Sequence, residues 1–319
     1  MKTASLIFRA LIVFAVLSAF LLSGRTPIAS PAEAQTNKRI QKSQRREQTS
    51  KWPSKSERWA LIIGVDKYPY SQQLRMLKGA AKDAEDLKNA LIRHANFQED
   101  RVILMTNEQP ENLQPTLGNI FQQLSRLKNA SKDGLLLVSF AGHGIQYERR
   151  AFLVPTDARD DHDWALLART SIDVTDMKEW ILDTGVRQVV IILDACRNNP
   201  PGRGNTDNSQ AKAYARGLNL DARNREVEAF ALLYATTEGG LAFEDSKEQR
   251  GHFTRAVIEA LSGGAANEKG EVTLGGLVKY VQEEVPKRAK RQGEQKPDYE
   301  MRGYKADELV IAIASPPPT

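Results

Sequence analysis

The 319-residue chain contains one cysteine, Cys196. No disulfide can form within it, so the thiol is either a small buried hydrophobe or a reactive group. Apolar runs are short: the uncharged stretch Ala10–Leu22 has thirteen residues, against the ~20 that a membrane-spanning helix needs. There are four histidines, and His94, His162 and His252 have no Cys or His partner at ligand spacing, which argues against a zinc site. No phosphate-cradling glycine motif follows any apolar run, which sets aside a flavodoxin-like nucleotide binder. A net positive charge is lacking where a folded domain would sit. Residues 1–58 hold eleven Lys/Arg against three Glu, a net of +8, while the whole chain is +5, leaving −3 for 59–319. With no basic globular face and no nucleic-acid motif, binding to nucleic acid is not expected.

What is present begins with a leader. Lys2 and Arg9 precede the apolar run, and Ala32-Glu33-Ala34 ends the polar stretch after it. That order is a secretory signal peptide cleaved after Ala34. The alternative is an uncleaved membrane anchor; in both cases the remainder faces an extracytoplasmic space, periplasmic or secreted. Once the signal is removed, no stable membrane span is expected. Residues 35–57 are basic and nearly devoid of apolar side chains, as a disordered linker is.

From residue 58 to 315 the composition is that of one soluble domain, long enough to bury a sizeable core. Short aliphatic runs read as buried strands: 59–65, 101–106, 134–140, 187–193, 229–235 and 308–314. Helix-period stretches lie between them at about 79–95, 112–129, 173–184, 251–262 and 273–290. Continuous apolar strands alternating with amphipathic helices specify an α/β fold with a mostly parallel, six-stranded sheet covered on both faces.

In such sheets reactive groups gather at the carboxyl ends of strands. His143 follows GLLLVSF within FAGHG, and Cys196 follows RQVVIIL within LDACR. A thiol attacks a carbonyl only as thiolate, and a nearby imidazole can take its proton. The glycines beside His143 let backbone approach a substrate and free an N–H for an oxyanion.

These motifs, fifty-three residues apart and in this order, resemble the His-Gly and Ala-Cys signatures of the caspase-like cysteine peptidases. Asp194 stands where caspases carry Gln, which resembles the metacaspase and bacterial orthocaspase branch. The likeness also takes in ALIIGVDKY, GAAKDAEDLKNAL, FLVPTDA, YATTEGGLAFED, GHFTRAV and Gln295-Lys296-Pro297. It implies a three-layer caspase-like sandwich and a cysteine endopeptidase acting on polypeptides. Cys196 would be the nucleophile, His143 the base, and the N–H groups of Gly144 and Cys196 the oxyanion hole. No third catalytic residue is implied, and no Asn or Asp stands out as a partner for His143. Metacaspase-like enzymes bind Arg or Lys through acids. Asp194 would line that pocket, since a carboxylate grips guanidinium through paired hydrogen bonds, and Asp83 matches a second acid. One departure is Ala141, where metacaspases often have Ser.

The alternative from another class is a catalytically silent caspase-like binding or scaffold domain; the presence of both Cys and His favours the enzyme. No cofactor or metal is required. DARDDHDW (157–164) packs four Asp and a His into seven residues, an oxygen-rich set of the kind that suits calcium, and calcium activates some metacaspase-like proteins. The run lacks the Gly and spaced Glu of an EF-hand loop, so an acidic turn is the simpler reading. Residues 197–226, rich in Gly, Asn, Pro and basic residues, read as an exposed loop with Arg203, Arg216 and Arg223 as self-cleavage candidates. Oligomeric state has no signature in the sequence.

Overall fold

In the computed structural model the described residues are 57–148, 150–195, 227–237, 242–245, 250–303 and 305–314. The leader, the linker to residue 56, Cys196, and the loop 197–226 lie outside them. The elements run β1 (Arg58–Gly64), α1 (Ala80–His94), β2 (Val102–Thr106), α2 (Leu117–Arg126), β3 (Leu135–Gly142), β4 (Gly144–Tyr147), β5 (Arg150–Leu153), α3 (Trp164–Arg169), β6 (Ile172–Asp173) and α4 (Val174–Leu182). They continue as β7 (Gln188–Ala195), β8 (Ala229–Tyr234), β9 (Glu244–Asp245), β10 (Arg250–Gly251), α5 (His252–Glu259), β11 (Glu271–Thr273), α6 (Leu274–Ala289), β12 (Asp298–Arg302) and β13 (Val310–Ile313).

The main sheet has the order β12-β8-β7-β3-β1-β2. Its first five strands along the chain are parallel, and β12 closes the edge antiparallel to β8. The strands are apolar on both faces because both are covered. Leu61, Ile63, Val138, Phe140, Ile191 and Leu193 pack with Ile120 of α2, Leu167 of α3 and Met177 of α4. The alternate residues Ala60, Ile62, Leu137, Val190 and Ile192 pack with Leu87 of α1, Phe253 of α5 and Leu277 of α6. The result is the expected three-layer α/β sandwich.

One strand expectation is corrected. The apolar run 308–314 does form a strand, β13, but it pairs with β11 in a separate two-stranded ribbon. The sixth place in the main sheet belongs to DYEMR, residues 298–302. An edge strand has only one neighbour and tolerates charge, which protects the open edge, and this one, with every residue at least partly exposed, carries no aliphatic run.

Arg58, at the start of β1, is completely buried. It donates to the carbonyls of Ala95 (2.6 Å), Ile311 (3.0 Å) and Val310 (3.3 Å). Burial pushes its guanidinium down to about 9, so it remains a cation at neutral pH. It joins the end of α1 to β13. Among the described residues, no helix is long and apolar enough to cross a membrane.

Candidate active site

β3 and β7 are neighbours at the centre of the sheet, in a register that pairs Ala141 with Asp194 and Gly142 with Ala195. The next residues along the chain are His143 and Cys196. Cys196 lies outside the described residues. The strand leading to it is held in step with the strand leading to His143 up to one residue before each.

His143 is fixed at three atoms. Its backbone N–H donates to the Tyr68 hydroxyl at 2.8 Å, and that hydroxyl donates to the Val65 carbonyl at 3.0 Å. Its own carbonyl accepts from the Val154 N–H at 3.0 Å. Its ring Nε2 lies 2.8 Å from the Arg75 carbonyl. A carbonyl only accepts, so Nε2 carries the proton and Nδ1 keeps its lone pair when the ring is neutral. The Tyr68 ring covers the imidazole at 4.9 Å between centroids. Gly142 makes this close approach feasible: a Cβ there would stand 2.8 Å from the Tyr68 hydroxyl. Burial holds the His143 pKa below the ordinary histidine value; the Arg75 carbonyl works against that shift and the Arg75 charge with it.

Arg75 sits in the loop between β1 and α1. Asp66 anchors the loop's two ends: its carboxylate accepts from Ala80 and Ala81 N–H at the start of α1, and its carbonyl accepts from Leu77 N–H. Gly64 is required where β1 passes beneath that helix start, since a Cβ would stand 2.4 Å from the Ala80 carbonyl.

Asp83 and Asp194 meet at Gly251. The Asp83 Oδ2 accepts from Gly251 N–H at 2.7 Å. The Asp194 Oδ2 accepts from the Thr254 hydroxyl at 2.6 Å and Thr254 N–H at 3.2 Å. A Cβ on Gly251 would lie 2.7 Å from Asp194 Oδ2 and 3.0 Å from Asp83 Oδ2, so glycine leaves the two carboxylates facing one small space. Asp83 is buried in the first turn of α1. Burial raises the Asp194 pKa; the Thr254 hydrogen bonds and the nearby His252 offset part of the rise. Gly144 opens β4 opposite Leu153.

Three of the four aspartates in 157–163 accept hydrogen bonds from backbone N–H groups. Asp157 accepts from Leu117 N–H at the start of α2, Asp163 caps α3 through Ala165 N–H, and Asp160 turns inward to the loop at residues 71–73. Among the described residues no cluster of three or more His, Cys, Asp or Glu side chains is arranged to hold a metal ion.

Sequence reasoning singled out His143, Asp83 and Asp194, and the fold brings all three to the same end of the sheet. It missed Tyr68, the Arg75 carbonyl, Gly251 and Thr254. Any residue supplies a carbonyl, so Arg75 had no signature, whereas GHFTRAV was noticed without a role.

A profile of the caspase domain matches residues 57–305. The chain belongs to the caspase-like cysteine peptidase family. It is 28% identical over 152 residues to Metacaspase-1 of Pyricularia oryzae, covering 44% of this chain and 36% of that protein. To Metacaspase-1 of Eremothecium gossypii it is 30% identical over 93 residues, 28% of this chain and 20% of the relative. The matched segments thus span only about a fifth to a third of those relatives' length. Among solved structures, Caspase-1 of Spodoptera frugiperda superposes with a TM-score of 0.52 at 15% identity, covering 78% of this chain and 87% of that one. A Geobacter sulfurreducens protein gives 0.54 at 14% identity, covering 82% of this chain and all of the other. At those identities the two structures speak for the fold.

Proposed function

We propose that this chain is an exported cysteine endopeptidase that cuts after Arg or Lys, with Cys196 as nucleophile and His143 as base. The observation that carries the reading is the imidazole held by the Arg75 carbonyl through Nε2, at the end of a strand in register with the one that leads to Cys196. Nδ1 is left as the basic atom, and burial keeps the ring neutral and ready to accept.

In this mechanism Nδ1 takes the thiol proton and the sulfur attacks the scissile carbonyl carbon. The carbonyl oxygen gains the charge and is met by the N–H groups of Gly144 and Cys196. The C–N bond then breaks, the imidazolium returns its proton to the departing amine, and a thioester remains. Water attacks it with His143 again taking the proton, releasing the acid and restoring the thiol. The orienting group is a peptide carbonyl, which does for His143 what a carboxylate does in a triad.

The Asp83–Asp194 pair at Gly251 supports the basic preference. Two carboxylates across one small space favour a cation that can pair with both, and guanidinium is planar and presents several donors. Export rests on the leader and its Ala32-Glu33-Ala34 site. Calcium activation rests on the resemblance alone.

The test offers the purified protein and its Cys196→Ala counterpart fluorogenic peptides ending in Arg, Lys or Asp, with and without calcium. Cleavage after Arg or Lys that disappears in the variant is the expected result. Cleavage after Asp would keep the mechanism and remove the acidic-pocket reading. A folded protein that is silent in every condition, including after nicking by another protease, would make it a binding domain.

A further inference from the structure

Asp160 belongs to the acidic run read from sequence as a turn, and it is completely buried. Its carboxylate accepts from the Ser71 hydroxyl, from Gln73 N–H at 3.1 Å, Gln72 N–H at 3.3 Å and His162 N–H at 3.1 Å. The Ser71 oxygen in turn accepts from Leu74 N–H at 3.1 Å. One carboxylate and one hydroxyl therefore fix residues 71–74. Arg75 is the next residue, and its carbonyl holds His143 Nε2. The loop is next tied down at Leu77, whose N–H donates to the Asp66 carbonyl at 2.9 Å. Between these anchors lie Arg75 and Met76, and Met76 is 63% exposed, so its side chain supplies little packing to hold the Arg75 peptide.

We propose that Asp160 is a positioning residue for the general base: by fixing Ser71–Leu74 it keeps the Arg75 carbonyl on Nε2 and so holds His143 with its lone pair on Nδ1. The inference rests on reading His143 as the base. Burial alone would raise the Asp160 pKa, but hydrogen bonds from Ser71, His162, Gln73 and Gln72 outweigh it and bring the net value below the ordinary aspartate range. The anchor is thus an anion at neutral pH, an acceptor for every donor that faces it. An amide in its place must turn an N–H toward the Ser71–Gln73 side or toward Gln72 and His162, and one set of bonds is lost.

The experiment compares the full chain with Asp160→Asn and Ser71→Ala, reading both kinetics and the nitrogen chemical shifts of His143, which report its tautomer. Outer partners that orient a histidine are typically worth ten- to a hundredfold. Asp160→Asn is therefore expected to lower kcat by at least about tenfold with KM within about twofold, and to move His143 from the Nε2–H form to a mixture. Ser71→Ala, which removes the Asp160 link to Leu74, should do the same to a smaller degree, and it serves if Asp160→Asn does not fold. Folded variants with lower Tm but unchanged kcat and tautomer would overturn the proposal and leave Asp160 a structural anchor. The tautomer is read without turnover, so a wild-type protein that cleaves nothing would fail the peptidase reading while this test still returned its answer.

Discussion

Replacing Tyr68 by Phe keeps the ring over His143 and removes one oxygen. In the folded protein that oxygen makes two hydrogen bonds, to Val65 as donor and from His143 as acceptor, and Tyr68 is 3% exposed. The variant leaves a buried carbonyl and the His143 N–H without that partner. A net hydrogen bond contributes about 1 kcal/mol, and a buried group left unpaired costs about 1–3 kcal/mol. The vacated space is that of a single oxygen formerly bonded to the ring, less than the room a water molecule needs. Together these give a loss of roughly 2–4 kcal/mol. Urea unfolding followed by linear extrapolation should show it as a lower midpoint at unchanged slope. Activity should fall further than stability requires: with the His143 peptide freed, we expect kcat/KM to drop about tenfold, or ~1.4 kcal/mol of transition-state stabilisation, in samples that are fully folded. A Tyr68→Phe protein that unfolds within about 0.5 kcal/mol of wild type and turns over at the wild-type rate would refute the argument that this hydroxyl holds the base.

Other consequences can be measured independently. Gly251→Ala places a methyl against the carboxylates of Asp83 and Asp194 and, if these form the proposed pocket, should raise KM for Arg peptides about tenfold or more; an unchanged KM would remove Gly251 from it. The acid limb of kcat/KM should lie below the ordinary histidine pKa of about 6.5, because burial holds His143 down; a limb above that value would contradict it. Asp194 binds its proton more tightly folded than unfolded. Stability should therefore fall as pH rises from about 4 through its folded pKa, and Asp194→Asn should flatten that slope in a thermal-unfolding series while losing the preference for Arg and Lys. Arg58→Met strands three carbonyls at about 1 kcal/mol or more each, so equilibrium unfolding should show a loss of roughly 3 kcal/mol; a change under 1 kcal/mol would mean that the cation contributes little.

The parts of this fold legible in sequence were those that need particular side chains at regular intervals. Runs such as GLLLVSF and RQVVIIL are apolar on both faces because both faces are covered, and the residues after them stood out as chemistry. The edge strand 298–302 was invisible because a strand with one neighbour need not be apolar. Asp160 was read only as part of an acidic turn, because the donors that claim it, at residues 71–73, lie almost ninety residues earlier. The Arg75 carbonyl could not be read at all, since every residue has one and only the folded loop aims it at an imidazole. Asp83 and Asp194 were named, but their meeting point was not: Gly251 acts by lacking a side chain.

The clamp at Arg58 sets a condition on how the molecule can be shortened. Two of its acceptors come from residues 310 and 311, some 250 positions downstream. A chain ended between Cys196 and Val310 keeps His143, Cys196, Asp83 and Asp194, yet leaves a buried cation at the root of the first strand with a single one of these three carbonyls. On a growing polypeptide the same arginine waits for nearly the entire domain to be synthesised. The root of the first strand of the main sheet is thus held by a strand of a different sheet, the last one the chain reaches.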